Sequence, residues 1–247
     1  MKQSYLLLVG ALVATSCGKS DKEDPKPTPS FTGTIKLADE FGAAQANRSG
    51  VLVTVTDVSP QVTTQTAADG TFTLSGVPAG NHQISYTKTG YGTYWWTYVP
   101  TSGSGGAVLP EVTLGQVSTS LVTVRVTKVG NQFQINGTVS PTPTTSQPRY
   151  YRIYLQNYDL PAPPPIASAY ALTLGGPTQA DGTFTELVSQ TQLSDAGLTS
   201  AQGANVRVRA TGDNPVATTY DDGSSGKKVY PAANLLANTR SVIFNSK

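Results

Sequence analysis

The sequence is short of the residues that most often carry catalysis, redox chemistry or charge-driven binding. Its 247 residues include one cysteine, one histidine and one methionine, and charged residues make up only 13%. A single cysteine excludes a disulfide within the chain, and a single histidine excludes a zinc site built from several histidines. With a net charge of +2 there is no basic excess, so nucleic acid is not an expected partner. No apolar run approaches the roughly 20 residues of a membrane-spanning helix.

Glycine and proline, in contrast, are plentiful. There are 24 glycines and 17 prolines, and apolar residues repeatedly alternate with threonine and serine. This composition is typical of short strands joined by tight turns, so we predict an all-β fold. A mature chain of about 230 residues is long enough for one large all-β domain or for two smaller ones with their own cores, and we predict two tandem β-sandwich domains.

The lone Cys17 stands where an apolar segment turns charged. Tyr5–Ala14 has the length of a signal-peptide core, and Ala14-Thr15-Ser16 supplies small residues before the cysteine. The arrangement resembles a bacterial lipoprotein signal, although Ala14 stands where that family usually has leucine. The resemblance implies a signal peptide over 1–16 and a lipidated Cys17, whereas the alternative is ordinary secretory cleavage.

The next segment, residues 17–30, is predicted to be a flexible linker. It is polar, charged and contains three prolines, which is typical of a semi-extended disordered tether. Asp21, Glu23 and Asp24 resemble the export signal of Bacteroidota lipoproteins. We therefore expect an outer-membrane lipoprotein exposed on the cell surface; the alternative is that these acidic residues only keep the linker solvated.

Alternating strands and turns then predict a first domain over 31–115. Asp69-Gly70 indicates a hairpin with a type I′ turn, because glycine tolerates the positive φ that this turn needs. The order of turns resembles the carboxypeptidase regulatory-like domain, a transthyretin-like sandwich. The matching residues are Gly33, the strand 51–55, Asp69-Gly70-Thr71-Phe72, 76–80 and 88–91. The resemblance implies a mostly non-catalytic packing or interaction module.

A second domain is predicted over 116–247. Alternating segments near 121–127, 131–139, 150–155 and 205–210 indicate strands, the first two joined by a turn at 129–131. Residues 192–202 could hold one short helix beginning near Ser194 or Asp195, and 159–165 is too rich in proline for a central strand. The spacing of the turns favours an immunoglobulin- or fibronectin-like Greek-key sandwich.

One six-residue segment occurs twice, Ala-Asp-Gly-Thr-Phe-Thr at 68–73 and at 180–185. A shared calcium turn would need six to eight oxygen ligands, and each copy supplies one carboxylate. Duplication is a further alternative. A shared hairpin turn accounts best for the repeat.

The strand at 91–98 is the best candidate for binding a ligand. Tyr94, Trp96 and Tyr98 should share one face, with Trp95 on the other, and Tyr91 precedes them. Such rings can stack on sugars while their polar atoms donate or accept hydrogen bonds. The alternative, which we favour, is that one face completes the core and the other packs against the next domain.

These observations argue against an enzyme. His82 is the sole histidine. The adjacent carboxylates Asp39-Glu40 would point apart on a strand, and Asp221-Asp222 lies in a turn-rich loop at 220–226. We predict no catalytic residues, metal or cofactor, and a non-catalytic, lipid-anchored envelope protein in adhesion, scaffolding or assembly with another envelope protein. The alternative is a glycan-binding accessory lipoprotein that uses the aromatic strand.

Overall fold

The structure confirms the all-β sandwich prediction. It is a computed structural model that describes residues 30–101, 106–158, 171–199, 204–234 and 242–247. These ranges contain seventeen strands and one short helix. No helix within them is long and apolar enough to cross a membrane. The predicted signal peptide, Cys17 and the proline-rich segment 159–165 lie outside the described residues.

The strands up to residue 115, which we call the first half, form two facing sheets. Their bounds are β1 Ser30–Ala38, β2 Leu52–Val55, β3 Val62–Gln65, β4 Thr71–Ser75, β5 Gly80–Thr87, β6 Tyr94–Thr101, β7 Ala107–Val108 and β8 Val112–Gly115. One sheet has the order β4-β1-β7, with β8 also paired to β1, and the other has the order β3-β2-β5-β6. β4 runs antiparallel to β1, whereas β7 and β8 run parallel to it.

The core of the first half lies between these sheets, as the alternation of residues requires. In β4, Phe72 and Leu74 are buried while the intervening threonines are exposed. Ile35, Val53 and Ile84 from three other strands meet them and are completely buried. Each such side chain stabilises the fold by about 1.5–3 kcal/mol through removal from water, so alternation alone directs the sheets together.

The second half, from residue 116 onward, forms another sandwich. Its elements are β9 Leu121–Val129, β10 Gln132–Ser140, β11 Tyr150–Asn157, β12 Leu172–Pro177, β13 Thr183–Ser189, α1 Gln190–Asp195, β14 Asn205–Asp213, β15 Tyr220–Asp221, β16 Lys228–Val229 and β17 Val242–Asn245. The sheet β13-β10-β9 faces the sheet β12-β11-β14-β17, and β15 pairs with β16 as a separate hairpin. Ile135, Ile153 and Val208 are completely buried in the core between the two larger sheets.

Two local predictions in the second half have different outcomes. The turn between β9 and β10 is confirmed, because Val129 pairs with Gln132 around Gly130, whose φ is +60°. The predicted helix start is wrong, since α1 begins at Gln190. Ser189 caps it, accepting from the Gln192 backbone N–H while the Gln192 side chain accepts from the Ser189 N–H.

The Asp-Gly turns connect strands of different sheets, so the predicted type I′ hairpin is wrong. β3 and β4 lie in opposite sheets. The Gly70 N–H donates to the Ala67 carbonyl at 2.9 Å, which makes Ala68 and Asp69 the central residues of the turn. Gly70 follows with a φ of +85°, in the left-handed region that glycine enters without a steric cost. The requirement for glycine at this position is therefore confirmed, although the type of turn is not.

The strands of the two halves pair in nearly the same order. In the first, β2 pairs with β3 and β5, and β5 pairs with β6; in the second, β11 pairs with β12 and β14, and β14 pairs with β17. β4 crosses over to pair with β1, as β13 does with β10. The third position differs, because β8 is parallel to β1 whereas β9 is antiparallel to β10. The repeated six residues therefore occupy equivalent places in two similar sandwiches.

Candidate functional site

The aromatic residues of β6 are divided between the two faces of the sheet, as alternation predicts. Tyr94 pairs with Tyr86 and Trp96 with Ile84, both of which are core residues of β5. Trp95 pairs with Ser85 and points to the opposite face. The side chain of Tyr98 lies outside the described part of the molecule.

Tyr94 and Trp96 belong to the core rather than to a ligand platform. The ring of Tyr94 is 5% exposed, stacks on Tyr86 at 5.9 Å and meets Trp96 edge-on at 5.3 Å. Burial raises the pKa of the Tyr94 and Tyr86 hydroxyls above their ordinary value. Tyr91 is half-buried against the same core, and its hydroxyl accepts from the Gln116 side chain at 3.4 Å. The faces of these three rings are therefore used in packing, and their role in ligand binding stays a prediction.

Trp95, in contrast, lines an open cleft of about 430 Å³ on the outer face of the sheet. Gln83 and Thr97 belong to the same wall, and the opposite wall is the β15–β16 hairpin of the second half. β6 is the edge strand of its sheet among the described residues, and the hairpin lies against this edge. The cleft is thus formed where the two halves meet.

The hairpin is held in place by packing and by its own hydrogen bonds. Tyr220 packs edge-on against Tyr94 at 5.2 Å, and burial raises the pKa of Tyr220 to about 12. The Asp222 carboxylate accepts from the Ser225 backbone N–H at 2.8 Å and from that of Ser224 at 3.1 Å. Hydrogen bonds from Ser224 and Ser225 lower the pKa of Asp222 to about 2, so its side chain is charged at neutral pH.

The junction contains a second, buried polar cluster. Glu40 of the first half accepts from the Thr119 backbone N–H at 2.7 Å and from Arg149 at 3.3 Å. The Arg149 guanidinium also lies 4.6 Å from the Phe41 ring centroid and is 7% exposed. A charge-assisted pair with so little solvent access is worth more than a surface ion pair, so it holds the halves together.

Further contacts extend this junction. The Asn214 side chain donates to the carbonyls of Asp39, at 2.7 Å, and Gln116, at 3.2 Å. Thr113 and Thr218 exchange hydrogen bonds of 2.8 and 2.9 Å. A side chain at Gly92 would place its Cβ 2.4 Å from the Pro231 backbone, so the halves approach closely there. The two sandwiches thus share a contact surface beyond the chain connection between them.

The remaining polar candidates have structural partners. Both ring nitrogens of buried His82 face acceptors, the Pro78 carbonyl at 2.8 Å and Asp57 at 3.2 Å. Asp39 accepts from the backbone N–H groups of Phe41 and Ala43 in the turn that follows it, whereas Glu40 contacts Thr119 and Arg149. Within the described ranges, no three histidine, cysteine or acidic side chains gather as a metal site would require.

Sequence reasoning missed the hairpin wall of the cleft and the buried cluster. Residues 220–226 were expected to be a turn-rich loop, and nothing in their composition indicates that they contact β6. The partners Glu40 and Arg149 are more than a hundred residues apart, and a pairing over that separation leaves no local pattern. The sequence did indicate two short segments of the cleft: the aromatic strand at 91–98 and the turn at Asp221-Asp222-Gly223.

Comparison with known proteins identifies similar solved structures but no family. No protein-family model matches the chain, and a search of curated proteins finds no match. A DUF3823 family protein from Bacteroides ovatus is 16% identical, with a TM-score of 0.30 over 90% of this chain and 100% of that chain. A proposed carbohydrate-binding protein from Bacteroides uniformis is 12% identical, with a TM-score of 0.28 over 89% of this chain and 99% of that chain. A DUF3823 family protein from Parabacteroides merdae is 10% identical, with a TM-score of 0.25 over 84% of this chain and 97% of that chain.

Proposed function

We propose that the chain is a non-catalytic, lipid-anchored envelope protein that presents its two sandwiches as one body for adhesion, scaffolding or assembly with another envelope protein. The observation that carries this proposal is the junction in which Glu40 of the first half accepts from Thr119 and from the buried Arg149 of the second half. A body held at a fixed angle can present a defined surface, whereas two freely jointed domains would lose orientational entropy on binding.

The anchor in this proposal is Cys17. One acyl chain binds a membrane weakly and reversibly, while two or three hold a protein firmly, since each buried methylene contributes about 0.8 kcal/mol. A polar linker over 17–30 would then carry the sandwiches away from the bilayer surface. The first strand of the first sandwich, β1, begins at Ser30, the last residue of the predicted linker.

The proposal also includes the two family resemblances. A carboxypeptidase regulatory-like first half and an immunoglobulin- or fibronectin-like second half are supported by the observed strand orders and the two separate cores. The first of these resemblances implies a packing or interaction module, which is in keeping with a scaffold.

The anchor is tested by the Cys17→Ala variant of the full chain, with Ser16→Ala as its matched control. We expect Cys17→Ala to leave the membrane fraction and to lose labelling by an alkyne palmitate analogue, while Ser16→Ala keeps both. Membrane retention and labelling of the Cys17→Ala chain would contradict the proposal. Digestion of the protein on intact cells, compared with lysed cells, distinguishes outward display from an orientation toward the periplasm.

The cleft at Trp95 favours a second function, glycan binding. Trp95 is partly buried on the outer face of its sheet but lines the cleft, together with amide, hydroxyl and carboxylate groups. Aromatic faces beside polar groups match the alternating apolar and hydroxyl surfaces of sugars. The test is a glycan array probed with the full-length protein, with Trp95→Ala as the variant and Tyr158→Ala as the control. Tyr158 is another exposed aromatic residue, but it does not line the cleft. Binding that Trp95→Ala leaves unchanged would exclude this site.

A further inference from the structure

We infer that the cleft between β6 and the β15–β16 hairpin is a composite site for a neutral pyranose ring, and that it discriminates against acidic sugars. This inference rests on the proposed glycan-binding function and adds to it a ligand class and a second wall. The first half supplies the aromatic surface, and the second half supplies the charged acceptor.

The aromatic wall is positioned by the sheet. Trp95 is fixed by its pairing with Ser85, which is 5% exposed, so the backbone beneath the indole is well packed. Gln83 and Thr97 lie on the same outer face and line the cleft beside the ring. A pyranose stacked on the indole would place its equatorial hydroxyls at the ring edge, within reach of an amide and a hydroxyl that can each donate and accept.

The hairpin wall is positioned by contacts on both sides of β6. Tyr220 packs against Tyr94 on the core side of the strand. At the tip of the hairpin, a Cβ built on Gly223 would lie 3.2 Å from the Thr97 side chain, so the backbone rests on the outer face there. The absence of a side chain at Gly223 therefore keeps the cleft open above Thr97.

Asp222 determines the expected class of sugar. Oδ1 of its carboxylate accepts the hydrogen bonds from Ser224 and Ser225. The second oxygen, Oδ2, accepts none within the described part of the chain, so it can accept from a sugar hydroxyl. Among the described residues, Asp222 is also the only charged side chain that lines the cleft. Lys228 of the same hairpin lies 3.1 Å from Asp221 and does not line it.

A fixed negative charge beside a partly enclosed aromatic wall has two consequences. It strengthens hydrogen bonds from neutral hydroxyl groups, because a charged acceptor forms stronger bonds than a neutral one. It also repels the carboxylate of a uronic acid at short range, an effect that weakens as the ionic strength rises. The attraction of neutral hydroxyl groups and the repulsion of carboxylates therefore both favour neutral over acidic sugars.

The test measures binding of the full-length protein, purified in a zwitterionic detergent without a sugar headgroup, to two sets of hexasaccharides. Cello-, malto-, manno- and xylohexaose form the neutral set; hexagalacturonate and a hyaluronan hexasaccharide form the acidic set. We expect at least one neutral ligand to bind and neither acidic ligand to bind. Trp95→Ala should weaken neutral binding about tenfold, the effect of losing one aromatic contact of roughly 1.4 kcal/mol.

The informative variant is Asp222→Asn, because asparagine keeps an oxygen that can accept from Ser224 and Ser225. We expect this variant to bind the neutral ligand several-fold more weakly and to gain measurable binding to hexagalacturonate. A merely structural role for Asp222 would not produce such a gain. The control is Asp221→Asn, which neutralises the adjacent carboxylate outside the cleft and should leave both sets unchanged.

The outcomes separate this inference from the function on which it rests. If a neutral ligand binds through Trp95 and Asp222→Asn admits the acidic one, the composite site is supported. If ligands bind through Trp95 but both sets bind alike and Asp222→Asn changes nothing, the inference is overturned while glycan binding stands. If nothing in either set or on the array binds, both are overturned.

Discussion

The repeated six residues, at 68–73 and at 180–185, adopt almost the same local structure in the two halves. Asp69 accepts from the Thr71 N–H at 3.0 Å and from its hydroxyl at 2.8 Å; Asp181 does the same for Thr183, at 2.9 and 2.7 Å. The glycines have φ values of +85° and +84°. These distances agree to about 0.1 Å, which indicates that the short sequence itself dictates the turn.

The phenylalanines that follow are packed differently. Phe72 meets Tyr86 edge-on at 5.7 Å, while Phe184 stacks almost parallel on Tyr151 at 3.7 Å. Each ring covers a glycine on the neighbouring strand, Gly33 in the first half and Gly137 in the second. Identical residues therefore fix the same turn in both halves. The packing of the phenylalanine that follows the turn depends instead on the residues of the opposite sheet.

The largest expected effect comes from removing the two rings. Phe72→Ala and Phe184→Ala should each destabilise the protein by about 3–5 kcal/mol, because each empties a buried site. Urea unfolding followed by tryptophan fluorescence reports the first half, which contains both tryptophans, and far-UV circular dichroism reports both halves. If either loss is below about 1 kcal/mol, its ring is not a core residue and the equivalence of the halves is broken.

The next effect concerns the junction that joins the compared halves. Arg149→Leu leaves Glu40 in a largely buried place without its partner, and we expect a loss of about 3 kcal/mol. We expect the fluorescence and dichroism transitions to coincide in the unmodified chain and to separate in this variant. Lys36→Leu is the control, because its ion pair with Glu111 is 47% exposed on both sides and should contribute less than about 1 kcal/mol. Coincident transitions in Arg149→Leu would show that this pair does not couple the halves.

A smaller effect distinguishes the two glycines beneath the rings. A Cβ at Gly137 would lie 2.0 Å from Phe184 Cζ, and one at Gly33 would lie 2.8 Å from Phe72 Cζ. Gly137→Ala should therefore cost more, within the range of about 1–3 kcal/mol typical of overpacking, since Phe184 is confined by Tyr151. Thermal unfolding of the two variants shows which of them loses more stability. A greater loss for Gly33→Ala would mean that Phe72, not Phe184, is the more tightly confined ring.

The smallest effect is the pH dependence of the two turns. Hydrogen bonds from Thr71 and Thr183 lower the pKa of Asp69 and Asp181 below their ordinary 3.8. A carboxylate whose pKa is lower in the folded protein stabilises the fold above its ordinary pKa, and this stabilisation is lost as pH falls through the folded value. The melting temperature should thus fall more steeply below pH 3.8 than in the double variant Asp69→Asn, Asp181→Asn. If the melting temperatures of the two proteins fall in parallel as the pH is lowered, these turns are not the source of the pH dependence.

Much of the fold could be predicted from the sequence because its determinants are local. Alternation placed Trp95 opposite Tyr94 and Trp96, and the glycines at 70 and 130 marked real turns. The type I′ hairpin was wrong because a turn residue reports local φ and ψ values but not the sheet that the next strand joins. The start of α1 was missed because Ser189 ends a strand and caps the helix at the same time.

Only the wall of the cleft that contains Trp95 could be predicted from the sequence. Sequence reasoning proposed five aromatic residues for one ligand site without choosing between the two faces of the strand; Tyr94 is buried, whereas Trp95 lines the cleft. Asp222 and Tyr220 lie more than a hundred residues further along the chain. Their approach to β6 depends on the buried pairing around Glu40 and Arg149, and a long-range contact of this kind has no period or spacing that a single sequence displays.

The β15–β16 hairpin lies against the edge of β6, so the first half cannot be separated from the second without uncovering this edge. An uncovered edge strand offers unpaired backbone groups to any other extended chain, and here Tyr220 and its neighbours occupy part of that position. A fragment ending near residue 115 would contain a complete core yet expose this edge, so we expect it to self-associate more than the intact chain. The two sandwiches are therefore poor candidates for independent exchange by recombination, however modular their cores look.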